Sequence, residues 1–411
     1  MSIRAGGMVA RHALALALVL SAGLAMAVSA QTRGAAQDAR IVVRVENPIA
    51  LERHDETIAL SWASLRQRLP SLAPGRIRVR ELASDGELVT QLLDADKDGA
   101  PDSLLFQASF FPSETKSFAI EPVASAIAPK ARVHVKFIPE RTDVAWENDR
   151  IAFRTYGQLL WQLENLHSSG VDVWVKRTRD LVLDKWYGAG HDAYHADRGE
   201  GADFYKVGPT LGGGATAIWR NGTMYRAENF KTHRIIADGP IRAIFELDFE
   251  PWDAAGLRVT ETKRIAIDAG QQLYWQQSVF RAEGADSLQY AVGFVKRPGL
   301  VGSMSRAQPW AWLTGWGPVD NKPGEGGHGD LGTAVLLDRN RIVDFKETED
   351  HYVVVATARS GRPVVHYLGA GWTGSRDFQD VQAWWKYLDE FARRLAAPLR
   401  ITLGTPSGAS P

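Results

Sequence analysis

From Arg40 onward, short runs of β-branched and apolar residues alternate with polar ones and are cut by Gly, Pro and Asp clusters. Ile41–Val45, Ile77–Arg80, Ser103–Ala108 and Val133–Ile138 share this period of two, the mark of strands with one buried and one wet face. They predict a small N-terminal β domain over residues 40–140, with a short helix at Ser61–Leu69 and a boundary region at Pro122–Lys130. A second series comprises Ile151–Tyr156, Gly214–Trp219, His233–Ala237, Ile241–Phe249, Arg258–Ile267 and Gln272–Arg281. It continues through Leu288–Lys296, Leu331–Leu337, His351–Ala358 and Val364–Leu368. Strands so spaced, with few helices between them, predict an all-β fold: a large antiparallel β-sandwich over residues 145–404.

One segment has a different period. Phe378, Val381, Trp384, Trp385, Leu388, Phe391 and Leu395 recur at helical spacing and predict an amphipathic C-terminal helix over Asp377–Ala396. Ser375 is placed to cap it, Arg393 and Arg394 suit its C-terminal dipole, and Pro398 stops it before a last strand at Leu399–Leu403. Leu159–Glu164 reads as a short helical turn, and Asp172–Leu183 fits neither period.

The N-terminus is patterned for export rather than folding. Arg4 and Arg11 accompany an almost unbroken apolar run, His12 to Val28, that ends in small residues. This predicts a signal peptide over residues 1–30, a linker at 31–39 and a periplasmic or extracellular mature chain beginning near Gln31. No later stretch has the length and apolarity of a membrane span.

Composition narrows the chemistry. Cysteine is absent, which excludes disulfides, thiol nucleophiles and thiolate metal sites. Lys+Arg and Asp+Glu are 48 each, so no nucleic-acid partner is expected. Fourteen tryptophans suit packing, with a minority available to stack on sugar faces. Neither Gly-x-Ser-x-Gly nor a nucleotide-binding glycine loop is present, Gly208–Gly214 lacking the Lys-Ser/Thr that would follow.

The densest candidate chemistry lies between His195 and Tyr205, where His195, Asp197, Arg198, Glu200, Asp203 and Tyr205 precede Lys206, with Gly199 and Gly201 among them. Base, acid and cation together suit proton transfer. For β-elimination from a uronate, His195 is the candidate base, Tyr205 the acid, and Arg234, Lys263 or Arg264 the carboxylate clamp. Asp197, Glu200 and Asp203 are candidates to orient these groups, or to serve as the carboxylates of a hydrolase. Trp186, Tyr187, Lys206, Trp219 and Lys263 are expected substrate contacts. Asp94, Asp96, Asp98 and Asp102 have the spacing of a calcium loop, with Gly99 at its turn, and are candidate ligands of a structural Ca²⁺; Leu105 stands where that loop needs a bidentate carboxylate. His191, His195 and Asp197, near Asp192 and Glu200, form a second candidate metal cluster, for which no helical histidine pair is expected.

Gly170–Arg177, Asp184–Tyr187, His195–Gly208, Asn229-Phe230, Gly239–Arg242, Asp94–Asp102 and Leu104–Gln107 together resemble an exported bacterial family catalogued as domain of unknown function 4861. The resemblance spans nearly all of the mature chain. It implies a galactose-mutarotase-like β-sandwich and a setting of pectin and uronate-glycan degradation, and it assigns no catalytic residues. The expectation is an exported enzyme that acts on uronic-acid-containing oligosaccharides or polysaccharides by β-elimination. The alternatives are a glycoside hydrolase, a sugar epimerase or mutarotase, and a non-catalytic glycan-binding protein.

Overall fold

The computed structural model describes residues 39–126, 128–319 and 327–405; the signal peptide expected at 1–30 lies outside the described residues. The chain is mainly antiparallel β. One layer is a nine-stranded sheet ordered Phe230–Ala237, Arg242–Phe249, Leu257–Asp268, Leu273–Ala282, Pro363–Trp372, Asp330–Asp338, Trp310–Pro318 and Val301–Ser305, with Trp252–Ala254 beside Leu257–Asp268. Two five-stranded sheets form the facing layer. The first runs Gly201–Ala202, Asp172–Lys176, Ile151–Tyr156, Asp143–Asn148 and Val133–Ile138; the second runs Thr223–Tyr225, Ala215–Arg220, Ser287–Val295, His351–Arg359 and Ile342–Glu347. A bridge between Val171 and Gly212 joins them.

Alternation along these strands sends one set of side chains inward, where removal of apolar area from water holds the layers together. Trp146, Phe153, Phe245 and Tyr274 meet in that core, the Trp146 ring standing edge-on to Tyr274 at 5.4 Å. The outer face of the nine-stranded sheet is also covered. At one end, Trp384, Leu388 and Phe391 of the helix Val381–Ala396 pack on Leu273, Trp312 and Leu336. Glycine permits this approach: a Cβ at Gly332 would stand 2.5 Å from Trp384 Nε1. At the other end, Leu93 and Leu105 of the N-terminal unit pack on Ile236, Ile244 and Ala266. A cleft remains between them.

The N-terminal unit holds two small sheets and the helix Trp62–Arg68, whose first turn is capped by Ser61 Oγ accepting from Ser64 N. Two segments lie on the other side from the one expected. Val133–Ile138 pairs with Asp143–Asn148 in the sandwich, and Arg400–Leu403 pairs with Ile41–Glu46 in the N-terminal sheet. The C-terminal helix begins four residues later than its periodicity predicts, at Val381, with Asp380 as cap. Asp377 is drawn instead into pairs with Arg150 and Arg179, and Ser375 Oγ accepts from Asp377 N to close a turn. The ambiguous stretch after Asp172 divides into the strand Asp172–Lys176 and the helix Leu183–Gly188.

Candidate functional site

Two regions concentrate polar chemistry, on opposite faces of the sandwich. The first contains the expected loop. Helices Leu183–Gly188 and His191–Tyr194 roof the outer face of the strands Asp143–Asn148, Ile151–Tyr156 and Asp172–Lys176, with Tyr194 stacked on Trp174 at 4.7 Å. Beneath this roof Arg154 is buried and donates to Asp172 Oδ2 (2.6 Å), Asp203 Oδ2 (3.0 Å) and Tyr194 Oη (3.1 Å). Burial opposes the guanidinium charge, but Tyr156, Asp172 and Asp203 hold its pKa well above the ordinary value. One guanidinium cannot fully compensate two buried carboxylates. Burial, then repulsion from Asp172, raises Asp203 well above the carboxylate range. Nearby Lys176 and Glu147 form a second enclosed pair at 2.6 Å.

His195 sits at the edge of this cluster. Its Nδ1 lies 3.1 Å from the Asp203 carbonyl, and desolvation lowers its pKa, so the ring is neutral at neutral pH with Nε2 as an acceptor. The other loop carboxylates maintain the loop itself. Asp197 accepts from Gly199 N and Gly201 N and pairs with Arg177, while Glu200 pairs with Lys185 at 2.7 Å and accepts from Trp186 Nε1 at 3.4 Å.

The expected partners do not converge on His195. Tyr205 points into the sandwich core, its ring 5.1 Å from the Arg297 guanidinium and its hydroxyl enclosed without a hydrogen-bond partner among the described residues. The strand ends at Ala202, and in the irregular chain that follows Asp203 turns under the roof while Tyr205 turns into the core. Arg234 is exposed on the outer face of the opposite layer and paired with Glu246 at 2.7 Å. Lys263 is buried inside the sandwich, 3.8 Å from Glu261 and over the Phe249 ring, and cannot meet a glycan from outside. Trp186 and Tyr187 pack against Trp174 in the roof, Lys206 is exposed, and Trp219 is half-buried on the second five-stranded sheet. The recess beside Lys185, Trp186 and Glu200 measures only about 190 Å³.

The metal expectations resolve differently. Against expectation, His191 and His195 stand one helical turn apart, at the first residue and the C-cap of the helix His191–Tyr194, with ring centroids 5.0 Å apart. Among the described residues, however, no third His, Asp or Glu joins them within ligand reach, since Asp197 faces Arg177. In the Asp-rich hairpin, carboxylate atoms of Asp94, Asp96 and Asp102 lie within 4.8 Å of one another. Asp98 is outside that group and caps Ala100 N at 2.8 Å; the hairpin amides also donate to Asp94, Asp96 and Asp102.

The second region is the cleft on the outer face of the nine-stranded sheet, about 760 Å³, walled by the N-terminal unit and the C-terminal helix. Register builds its floor: Ile244, Ala266, Trp275 and Tyr367 are successive cross-strand partners, which sets Trp275 and Tyr367 side by side. Tyr367 is further fixed edge-on by Trp310 (5.5 Å) and Phe391 (5.2 Å). Four guanidinium groups line the walls. Arg242 clasps Asp268 in a two-point pair (2.5 and 2.7 Å), and Arg394 holds Glu56 at 2.8 Å. Arg53 lies 3.7 Å from Glu56, and Arg264 donates to Ala95 O of the Asp-rich hairpin. Burial and the neighbouring Asp268 push the Tyr367 phenol up to about 12, against the pull of Arg242, so it carries its proton at neutral pH.

Sequence reasoning named only Arg264 of this set as a candidate. The lining comes from positions between 53 and 401, and no local run marks it. The available signal was an aromatic residue at an outward strand position, as at Trp275 and Tyr367.

The family described as "Domain of unknown function (DUF4861)" matches residues 45–401. "Uncharacterized protein P7" of Formosa agariphila is 29% identical over 388 residues, covering 88% of this chain and 93% of its own. Two solved structures from Enterococcus faecalis align over 89% of the chain: a protein in glycosyl hydrolase family 38 (8% identity, TM-score 0.48) and an alpha-mannosidase (7% identity, TM-score 0.45). The alignments span 47% and 46% of those chains, so this chain matches about half the length of each.

Proposed function

We propose, from the premise that this chain belongs to the family of domain of unknown function 4861, that it is a carbohydrate-active enzyme that binds uronic-acid-containing oligosaccharides in the 760 Å³ cleft and cleaves them by β-elimination. One observation carries the reading: Arg53, Arg242, Arg264 and Arg394 line the same cleft as the cross-strand pair Trp275–Tyr367, and the cleft is large enough for sugar rings. An aromatic platform suits the C–H face of a pyranose, and guanidinium forks suit its carboxylate.

In the elimination, a base removes the proton on the carbon next to the carboxylate, and that electron pair forms the new C=C bond. The bond to the glycosidic oxygen breaks, and the departing oxygen takes a proton. Arg242 and Arg394 would neutralise charge building on the carboxylate, and Tyr367 would protonate the leaving oxygen. Glu56, whose Oε1 accepts from Arg394 and whose Oε2 lies 3.7 Å from Arg53, is the assigned base. Export of the mature chain through the apolar N-terminal segment belongs to the same reading, and N-terminal sequencing of secreted protein would test it.

A second reading keeps the chemistry at His195, favoured by its neutral and partly exposed ring, whose Nδ1 is held by the Asp203 carbonyl. The discriminating experiment is incubation with uronate and neutral oligosaccharides, following unsaturated-uronate absorbance and product mass. Tyr367→Phe should lower turnover by roughly a hundredfold with an unchanged melting temperature. New reducing ends without absorbance would replace the lyase reading with a hydrolase. Full activity in Tyr367→Phe together with loss in His195→Ala would move the chemistry to the loop.

A further inference from the structure

A third concave region lies where the strands Ala215–Arg220, Ser287–Val295 and His351–Arg359 run out at one end of their sheet. It is a surface groove of about 920 Å³ lined by Arg220, Arg341, Arg359 and Arg362 together with half-buried Trp219. No Asp or Glu lines it. Each of the four arginines is exposed, and among the described residues none forms an ion pair or a side-chain hydrogen bond. This differs from the cleft, where Arg242 and Arg394 each share an ion pair with one carboxylate. Four uncompensated positive charges around one depression repel one another, and an anionic guest relieves that repulsion.

Tight turns fix where these cations project. Arg220 precedes the left-handed pair Asn221 (φ 52°) and Gly222 (φ 77°), and Arg359 and Arg362 flank a turn completed by Gly361 (φ 73°). That turn is pinned to the neighbouring strand, because Ala282 N donates to Ser360 Oγ at 3.0 Å. Between the arginines, the exposed cross-strand pairs Ser287–Arg359 and Gln289–Thr357 offer neutral hydroxyl and amide groups. Trp219 is packed on the apolar patch of Leu211 and Ala217 and stays partly open.

We infer that this groove is a binding site for an anionic glycan strand, separate from the cleft: guanidinium groups engage its carboxylates or sulfates, Ser287, Gln289 and Thr357 meet its hydroxyls, and Trp219 covers one sugar face. The site would hold a polymer while the cleft acts on a neighbouring stretch or another chain. The lining favours glycan over nucleic acid. A single indole cannot form the series of stacking platforms that single strands need, and the whole chain is formally neutral.

Affinity electrophoresis and calorimetry on the full-length secreted protein would test the site. The probes are a polygalacturonate oligosaccharide, a sulfated galactan oligosaccharide, a neutral galactan oligosaccharide and a single-stranded oligonucleotide. The measurements are made in an Arg242→Gln/Arg394→Gln background, so that groove binding is read apart from the cleft. Binding to one or both charged glycans, weakened by salt and reduced about tenfold by Arg359→Gln/Arg362→Gln, is the expected result. Which charged probe binds identifies carboxylate or sulfate as the recognised group. An unchanged melting temperature verifies that these exposed substitutions leave the fold intact. Charged-glycan binding that ignores the arginine substitutions would overturn the inference, as would no binding, or oligonucleotide binding at least as tight through the same arginines. Because turnover is not measured, failure of the cleft's assigned chemistry would leave this result readable.

Discussion

The loop around His195 and the cleft around Tyr367 contain the same residue types, yet they use charge differently. Under the loop's helical roof, Arg154, Asp172 and Asp203 are buried against one another, and Lys176–Glu147 is fully enclosed. Their bonds hold strands, roof and loop in register. In the cleft, Arg242–Asp268 and Arg394–Glu56 remain partly exposed beside an open aromatic floor. A dense run of ionisable residues in sequence thus marks a fastening, and the open recess is assembled from residues far apart in the chain.

The strongest challenge to that contrast is a pair of truncations. Arg154→Met leaves Asp172 and Asp203 buried without their counter-charge and should cost about 3–5 kcal/mol in urea unfolding. Arg242→Met, at a partly exposed pair, should cost about 1 kcal/mol or less. Equal losses would erase the distinction between fastening and recess.

Turnover gives the second test. Tyr367→Phe and Arg242→Gln should both damage uronate cleavage, the first mainly in kcat and the second mainly in KM, whereas His195→Ala should retain wild-type kcat. The inverse pattern would return the chemistry to the loop.

Titration separates the regions further. Burial pushes Asp143, beside Arg154 and Arg141, from 3.8 up to about 6. A carboxyl raised in the folded state gives stability that is present below its unfolded pKa and lost as pH rises through the folded one. Replacing it with Asn should remove this titration, so the wild-type-minus-variant stability should fall by roughly 2 to 3 kcal/mol between about pH 4 and 6 and stay level above. His366, buried and pushed down to about 3, has the opposite sign. Its stabilisation is complete above its unfolded pKa and lost as pH falls towards 3, so His366→Gln should flatten the acid limb. The cleft's raised group, Tyr367 at about 12, adds no slope in this range. A flat difference curve for Asp143→Asn would remove that part of the comparison.

Calcium should have the smallest effect. Asp94, Asp96 and Asp102 lie in the hairpin whose Ala95 carbonyl receives Arg264 at the cleft wall. A small calcium-dependent rise in melting temperature, abolished by Asp96→Asn and retained in Asp98→Asn, is expected; an unchanged curve after chelation and titration would reject the ion.

Much of the architecture was legible because a period of two and a period of 3.6 are local properties. Leu257–Asp268 and Leu273–Ala282 lie within a residue or two of their expected bounds. Trp310–Pro318 escaped notice because its glycines and tryptophans conceal alternation. Asp143–Asn148 did so because it is buried on both faces, with Asp143 and Glu147 under the roof. Chemistry was legible only as residue type. Tyr205 and Asp203 face opposite ways because the chain after Ala202 is irregular, which no period reveals, and Arg234 is separated from His195 by the thickness of both layers. The cleft residues meet only through sheet register, which a linear reading does not supply.

The pairing of Arg400–Leu403 with Ile41–Glu46 also imposes an order of events in time. A ribosome, or a translocation channel threading the chain from its N-terminus, releases Ile41–Glu46 long before its partner emerges. Until then that edge strand has a row of unpaired backbone amides and carbonyls, open to association with other chains. The N-terminal sheet can be completed only after the last segment arrives, and the same event brings the C-terminal helix and the N-terminal unit to opposite sides of the cleft. Protein truncated after Leu399 should therefore aggregate during refolding even though its sandwich core is intact, and a separately supplied Arg400–Leu403 peptide should suppress that aggregation.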